Sequence, residues 1–276
     1  MIREFFTQLR LNAILGLFLV GVLLLVIALG LVWTPYDPLA IDLDHTLGQP
    51  SWSHWFGTDQ FGRDVLSRAM LGARISTMIA VETVVVAVAA GAMLGVIAGF
   101  LRGWTDRALM TVTDAVLAFP GMLLALALIA VLGSSRRSIV LALSIAYLPS
   151  VLRVVRSAVL SIREREYVEA SQVSGDSTLY TMVRHVLPNT LPPVIVLATS
   201  MFGWVVLSES ALSFLGVGVP PPAPTWGNML SMARPYMANA AWLSIVPGLC
   251  IAATLLGVNL LGDAIRDYFD PRREAR

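Results

Sequence analysis

The sequence predicts an all-α polytopic membrane protein with six transmembrane helices. Three observations carry that expectation. Of 276 residues, 57% are hydrophobic and only 13% charged, and the mean hydropathy of +0.75 lies outside the range of soluble domains. Six apolar runs, near 12–33, 76–100, 109–132, 138–160, 193–217 and 241–262, each approach the roughly 20 residues a helix needs to cross a bilayer core. The polar residues gather in the stretches between them, above all in 161–193.

The first run is longer than the roughly 7–15-residue apolar core of a signal peptide and reads as a retained helix. The stretch 34–73 contains Pro35, Pro38 and Pro50, five Asp and two Trp, too polar and too interrupted to enter hydrocarbon, and is expected to form a cap outside the membrane. On the second span Gly91, Gly95 and Gly99 recur every four residues, a spacing that favours close helix packing over a ligand site. A tight turn bearing Arg136 and Arg137 joins the third and fourth spans. The stretch 217–240 carries Pro220-Pro221-Pro222-Ala223-Pro224 before Trp226-Gly227-Asn228, which reads as a stiff extended piece followed by an aromatic-rich turn. Residues 263–276, rich in both charges, read as a solvated tail.

Orientation follows from Arg, the sole basic type among the 19 Lys and Arg positions. With the N-terminus inside, Arg3, Arg10, Arg102, Arg107, Arg153, Arg156, Arg163, Arg165, Arg184, Arg266, Arg272, Arg273 and Arg276 fall on the inner side. Arg63, Arg68, Arg74, Arg136, Arg137 and Arg234 fall on the outer side, so the bias keeps both termini and the 161–193 loop cytoplasmic. Arg136 and Arg137 run against the rule. Two segments result: 1–75, a helix and an extracytoplasmic loop, and 76–276, a core of five spans with the loop at about 161–193.

Within that loop Asp176 is placed as an N-cap, and Leu179, Met182, Val183 and Val186 then recur at i, i+3, i+4 and i+7. This helix is expected to stop near Leu187, because Pro188 restricts its predecessor and lacks an amide hydrogen. Residues 164–173 form the other helix, and Gly175 supplies the left-handed turn between them. Two readings fit the pattern: an amphipathic pair resting in the headgroup layer, or a knob inserted into a cleft on a partner.

Several chemistries are excluded or weakened. Without Lys the chain cannot build the phosphate-binding P-loop, so ATP-driven work must come from elsewhere. Cys250 is the only cysteine, which removes intrachain disulfides and thiol metal clusters. His45, His54 and His185 are read on different loops, no His-Glu-x-x-His occurs, and no Ser has a convincing nearby His, which counts against a membrane-embedded hydrolase. Three acids, Glu82, Asp114 and Glu209, lie in or near spans. They line a cavity or hydrogen-bond between helices, Glu209 to Ser208, Ser210 or a partner helix. As proton or sodium relays the three would instead serve a secondary transporter.

Glu169-Ala170-Ser171, Gly175 and Leu187-Pro188 together resemble the coupling segment of binding-protein-dependent ABC importer permeases, with Ser171 where Ala is usual. The run His54-Trp55-Phe56-Gly57-Thr58-Asp59-Gln60-Phe61-Gly62-Arg63-Asp64-Val65-Leu66-Ser67-Arg68 resembles the segment marking the second, C-type, membrane subunit of dipeptide, oligopeptide and nickel importers. Further likeness runs through Ala98-Gly99-Phe100, Gly103, Asp106, Asp114, Phe119-Pro120, Leu212-Ser213-Phe214-Leu215-Gly216, Trp226-Gly227-Asn228-Met229-Leu230 and Asn259-Leu260-Leu261-Gly262-Asp263, so it spans nearly the whole chain. The resemblance implies a type I importer permease fold in the inner membrane. It implies ATPase coupling through Glu169, Ala170, Ser171, Gly175, Leu179, Leu187 and Pro188. The implied partners are a homologous second permease, two ATP-binding subunits that hold ATP and Mg, an extracytoplasmic solute-binding protein and membrane lipid. No cofactor in this chain and no nucleic acid are expected. Glu209 matches an acidic position of the family. Asp59, Arg63 and Asp64 are candidates for an extracytoplasmic gate or binding-protein contact, set against simple local pairing that staples the loop over the pore mouth. His54 as a metal ligand is the weaker alternative there. The tail after Asp263 is a candidate ATPase contact, and peptides or similar solutes are the implied cargo.

Overall fold

A helix in a membrane must satisfy its backbone internally, and this chain does so almost throughout its length. The computed structural model describes residues 2–269, with side chains from 11 to 268. Arg3 and Arg10 lie outside the described side chains, and Arg272, Arg273 and Arg276 outside the described residues. Among the described residues ten α-helices form: α1 (Ile2–Val32), α2 (Val65–Leu101), α3 (Gly103–Leu117), α4 (Gly121–Leu132), α5 (Arg136–Ile162), α6 (Glu166–Val173), α7 (Thr178–Thr181), α8 (Leu191–Phe214), α9 (Trp226–Ala233) and α10 (Trp242–Phe269). Among the described residues there is no strand, only an isolated antiparallel bridge between Thr58 and Asp64.

Among the described residues five helical segments are long and apolar enough to cross a membrane: Leu11–Val32, Val65–Leu101, Arg136–Ile162, Thr178–Phe214 and Trp242–Tyr268. The third span expected at 109–132 is not one helix. It is divided into α3 and α4, which meet at 89°. Pro120 sits between them at φ −55°, ψ 124°, outside helical space, and has no N–H to continue the ladder. The bent pair still covers the depth of a span. At its start Arg163 Nη1 donates to Phe100 O at 3.0 Å, placing residues 100 and 163 on one level. At its end Ser138 Oγ reaches Leu132 O at 3.5 Å beside the start of α5.

α2 and α5 form the central seam and run parallel. A Cβ on Gly91 would lie 2.6 Å from Val151 Cβ, one on Gly95 2.7 Å from Val155 Cβ and one on Gly99 2.8 Å from Val159 Cβ. The four-residue glycine spacing thus meets a four-residue valine spacing, and the backbones approach because no side chain intervenes. Val151, Val155 and Val159 are fully buried there. α1 packs along α10 and leaves Leu11, Ile14, Leu17 and Phe18 exposed, as a lipid-facing helix should.

Two boundaries differ from the sequence reading. α2 begins at Val65, eleven residues ahead of the apolar run, because Asp64 caps it by accepting from Ser67 N at 2.8 Å. Residues 75 and 76 therefore both lie inside α2. Trp226-Gly227-Asn228 is not a surface turn but the first turn of α9, capped by Thr225 Oγ1 accepting from Asn228 N at 3.1 Å. Trp226 is 1% exposed and donates from Nε1 to Ala69 O at 3.2 Å, locking α9 against α2. At the other end α10 continues helical through residues 263–269, so that stretch is not a tail.

Candidate functional site

The polar run between α5 and α8 forms an elbow at one end of the bundle. α6 ends at Val173, Gly175 takes φ +86°, and α7 begins two residues after Asp176. The cap of α7 is Ser177, whose side chain accepts from Tyr180 N at 3.3 Å, rather than Asp176. Asp176 is occupied elsewhere: its Oδ2 accepts from Ser171 Oγ at 2.7 Å, and its N–H donates to Ser171 O at 3.2 Å. Ser171 Oγ also lies 3.0 Å from Thr181 Oγ1. Ser171 and Thr181 are buried, so one hydroxyl pins both arms of the elbow. An Ala at this position would keep the backbone bond from Asp176 but could make neither side-chain bond.

The second arm does not stop at Leu187. Met182–Val186 widen into a π turn, with Leu187 N donating to Met182 O, and Leu187–Thr190 tighten into a 3₁₀ turn that leads directly into α8. Pro188, which has no N–H to give, sits at the start of that turn, where none is required. The predicted apolar face is also divided. Met182 and Val186 turn inward, whereas Leu179 and Val183 stay exposed beside a groove of about 490 Å³ against Ala89, Met93 and Val96 of α2. At the tip Glu169, Ala170 and Gly175 are exposed, together with Tyr167, Val173 and Tyr180.

The three acids each have partners. Glu82 accepts from Arg136 Nη2 and ties α2 to the start of α5. Asp114 Oδ1 accepts from Arg153 Nη2 at 2.6 Å. Glu209 is 0% exposed; its Oε1 accepts from Ser213 Oγ at 2.7 Å and its Oε2 from Ser76 Oγ at 3.3 Å, bridging α8 to α2. Its interhelix partner is Ser76 of α2, and Ser213 is a partner on its own helix. Ser208 instead meets Tyr147 at 2.9 Å.

The α1–α2 loop at the opposite end closes on itself. Asp59 accepts from Arg63 Nε at 2.7 Å and from the N–H groups of Phe61 and Arg63, with Arg68 Nε at 3.4 Å. Asp64 caps α2 and meets His54 Nδ1 at 3.0 Å. Asp59, Arg63 and Asp64 are buried, so a contact made by this loop passes through the surface they support, not through their own charges. His45 and His54 share this loop, with ring centroids 6.2 Å apart, and each is held by a carboxylate, Asp42 or Asp64. Among the described residues no three His, Cys, Asp or Glu groups come together to hold a metal.

Sequence reasoning missed two features. Asp106 grips Arg156 through two bonds, one of them Nη2 to Oδ2 at 2.7 Å, beside the Asp114–Arg153 pair. The signal was present as two acids eight residues apart on α3 facing two Arg three apart on α5. The Ser171–Asp176–Thr181 staple was visible only as three small polar residues in a loop.

Residues 91–275 match the family described as binding-protein-dependent transport system inner membrane component. The chain is similar to the dipeptide transport system permease protein DppC of Alkalihalophilus pseudofirmus, 39% identical over 275 residues, which cover 99% of this chain and 90% of that protein. It is 42% identical over 265 residues to the di/tripeptide transport system permease protein DppC of Pseudomonas aeruginosa, covering 94% and 88%. It is also 45% identical over 240 residues to a probable peptide ABC transporter permease protein of Sinorhizobium fredii, covering 87% and 82%. The matched segment takes in the bent pair, the elbow and α8 to α10, and with relatives alike over nearly their full length this multi-pass chain belongs to the family of inner membrane components of binding-protein-dependent ABC transport systems.

Proposed function

We propose that this chain is one of two related membrane subunits of an ATP-driven importer of peptides or similar solutes, and that the elbow receives the stroke of a separate ATPase. The observation that carries the proposal is the elbow itself. It is stapled internally by Ser171, presents Glu169, Ala170 and Gly175 with exposed apolar side chains around them, and continues without a break into α8. A loop serving only its own chain would bury Tyr167, Val173 and Tyr180. Relatives named for dipeptide and di/tripeptide transport support peptides as the cargo.

In this reading both termini and the elbow are cytoplasmic, α1 and the α1–α2 loop supply an anchor helix and an extracytoplasmic cap, and the chain from α2 onward forms the conducting core. A second permease completes the pore, two ATP-binding subunits supply ATP and Mg, and a solute-binding protein delivers cargo to the cap held together by Asp59, Arg63 and Asp64. The chain itself carries out no catalysis and needs no cofactor of its own. Transport proceeds by alternating access, with Glu169, Ala170, Ser171, Gly175, Leu179, Leu187 and Pro188 passing the movement into α8. A proton- or sodium-coupled path through Glu82, Asp114 and Glu209 is not favoured, since the first two are ion-paired and the third is enclosed by serines.

The test is co-purification of the detergent-extracted wild type and Glu169→Arg, with uptake measured in proteoliposomes. We expect the wild type to retain a second permease and ATP-binding subunits, Glu169→Arg to lose only the latter, and uptake to require ATP. A wild type that emerges alone and transports without ATP would overturn the proposal.

A further inference from the structure

Two ion pairs join α3 to α5, and they are built differently. Asp106–Arg156 is a double-bonded fork with side chains 16% and 28% exposed. Asp114–Arg153 is a single bond, and its side chains are 62% and 52% exposed. Arg153 lies nine residues inside the end of α5, about 14 Å along its axis. Charges at such a depth are costly against lipid, so open ones face water or protein. Other polar groups share these faces, alongside exposed Leu117 of α3. Ser157 and Ser161 follow Arg153 at four-residue steps on one face of α5, and Thr111 stands three residues before Asp114 on the same face of α3; all three are exposed.

We infer that Asp114 and Arg153 are contact points for the solute in the conducting path, Arg153 for a carboxylate and Asp114 for an ammonium group of a zwitterionic cargo. A peptide backbone with free ends carries both groups. The single bond between Asp114 and Arg153 leaves one carboxylate oxygen and several guanidinium N–H groups unused among the described residues. The fork at Asp106–Arg156 is the structural member of the two pairs, and Asp114–Arg153 is the one that opens to cargo. This inference rests on the importer reading above.

The experiment uses the complete transporter in proteoliposomes. Arg153→Cys, made with Cys250→Ser, is treated with a membrane-impermeant ammonium thiol reagent, and dialanine uptake is measured for Asp114→Asn combined with Arg153→Gln. We expect the cysteine to react and the doubly neutral variant to take up dialanine at least tenfold more slowly than the wild type. A purely structural pair loses both charges together in that variant and leaves none unpaired, so uptake within twofold of wild type overturns the inference. So does a cysteine inert to the reagent, which places the pair against lipid or a partner. Absence of dialanine uptake by the wild type counts instead against the peptide reading, while the labelling, which needs no solute, still decides whether Arg153 faces water.

Discussion

At one end of the bundle the α1–α2 loop holds Asp59, Arg63, Asp64 and Arg68 at between 2% and 7% exposure; at the other, the elbow leaves Glu169, Ala170 and Gly175 in the open. Both ends use glycines at positive φ and carboxylates beside a helix start, so composition alone does not separate them. The difference lies in where the charges are satisfied. In the loop Asp37, Asp42, Asp59 and Asp64 each have an Arg, a His or backbone N–H groups close by in the chain, which makes the loop a closed unit. In the elbow Ser171, Asp176, Ser177 and Thr181 are consumed internally, and Glu169, Ala170 and Gly175 stay exposed. Polar residues in a membrane chain therefore mark a binding surface only after those already spoken for are removed.

Gly62 and Gly175 give the sharpest contrast, with φ of +71° and +86°. A Cβ on Gly62 would lie 1.6 Å from Asp42 O, whereas one on Gly175 meets nothing within 4 Å. The largest effect is expected from Gly62→Ala, which should abolish the recovery of folded protein from detergent. Normal yield with an unchanged Tm would show that the loop is not a rigid unit. Next comes Asp59→Asn, which strips the countercharge from buried Arg63 and Arg68 and should cost about 3–5 kcal/mol, read as a lowered Tm. An unshifted Tm would mean those charges reach water.

Gly175→Ala should cost about 1–2 kcal/mol, confined to the elbow by the left-handed backbone. Its Tm should stay near wild type while ATP-dependent uptake falls; a large loss of Tm with normal uptake would reverse the roles assigned to the two ends. Leu179→Ser, at an exposed site, should change stability by less than about 0.5 kcal/mol yet weaken retention of the ATP-binding subunits. Unchanged retention would exclude Leu179 from the contact.

Much of this contrast could be read from the sequence, and the remainder fails for physical reasons. Six apolar runs located five helices and the bent pair, because hydrophobic length is the dominant signal in a bilayer. The bend itself was written in Phe119-Pro120, but an apolar run hides a proline break from any average over its length. The glycine triplet was legible because its partner surface needs no side-chain detail, only a spacing that the valines of α5 share. The start of α2 was not: Asp64 caps it through a side-chain bond that hydropathy does not register. The elbow's turn at Gly175 was foreseen, yet its cap moved from Asp176 to Ser177 because Ser171 claims the carboxylate from five residues away. Leu187-Pro188 read as a stop, since sequence rules treat a proline as ending an α-helix, whereas a π turn passing into a 3₁₀ turn carries the axis past it.

That unbroken axis has a mechanical meaning. From Thr178 to Phe214 the chain is a single strut, 37 residues or about 55 Å long, with the elbow at one end and buried Glu209 near the other. Turning such a strut by about 5° about Glu209 swings its foot at the elbow, 31 residues or about 46 Å away, sideways by about 4 Å. The serine-lined carboxylate that joins α8 to α2 would then act as the bearing on which the strut pivots, and the Gly–Val seam as the fixed post beside it.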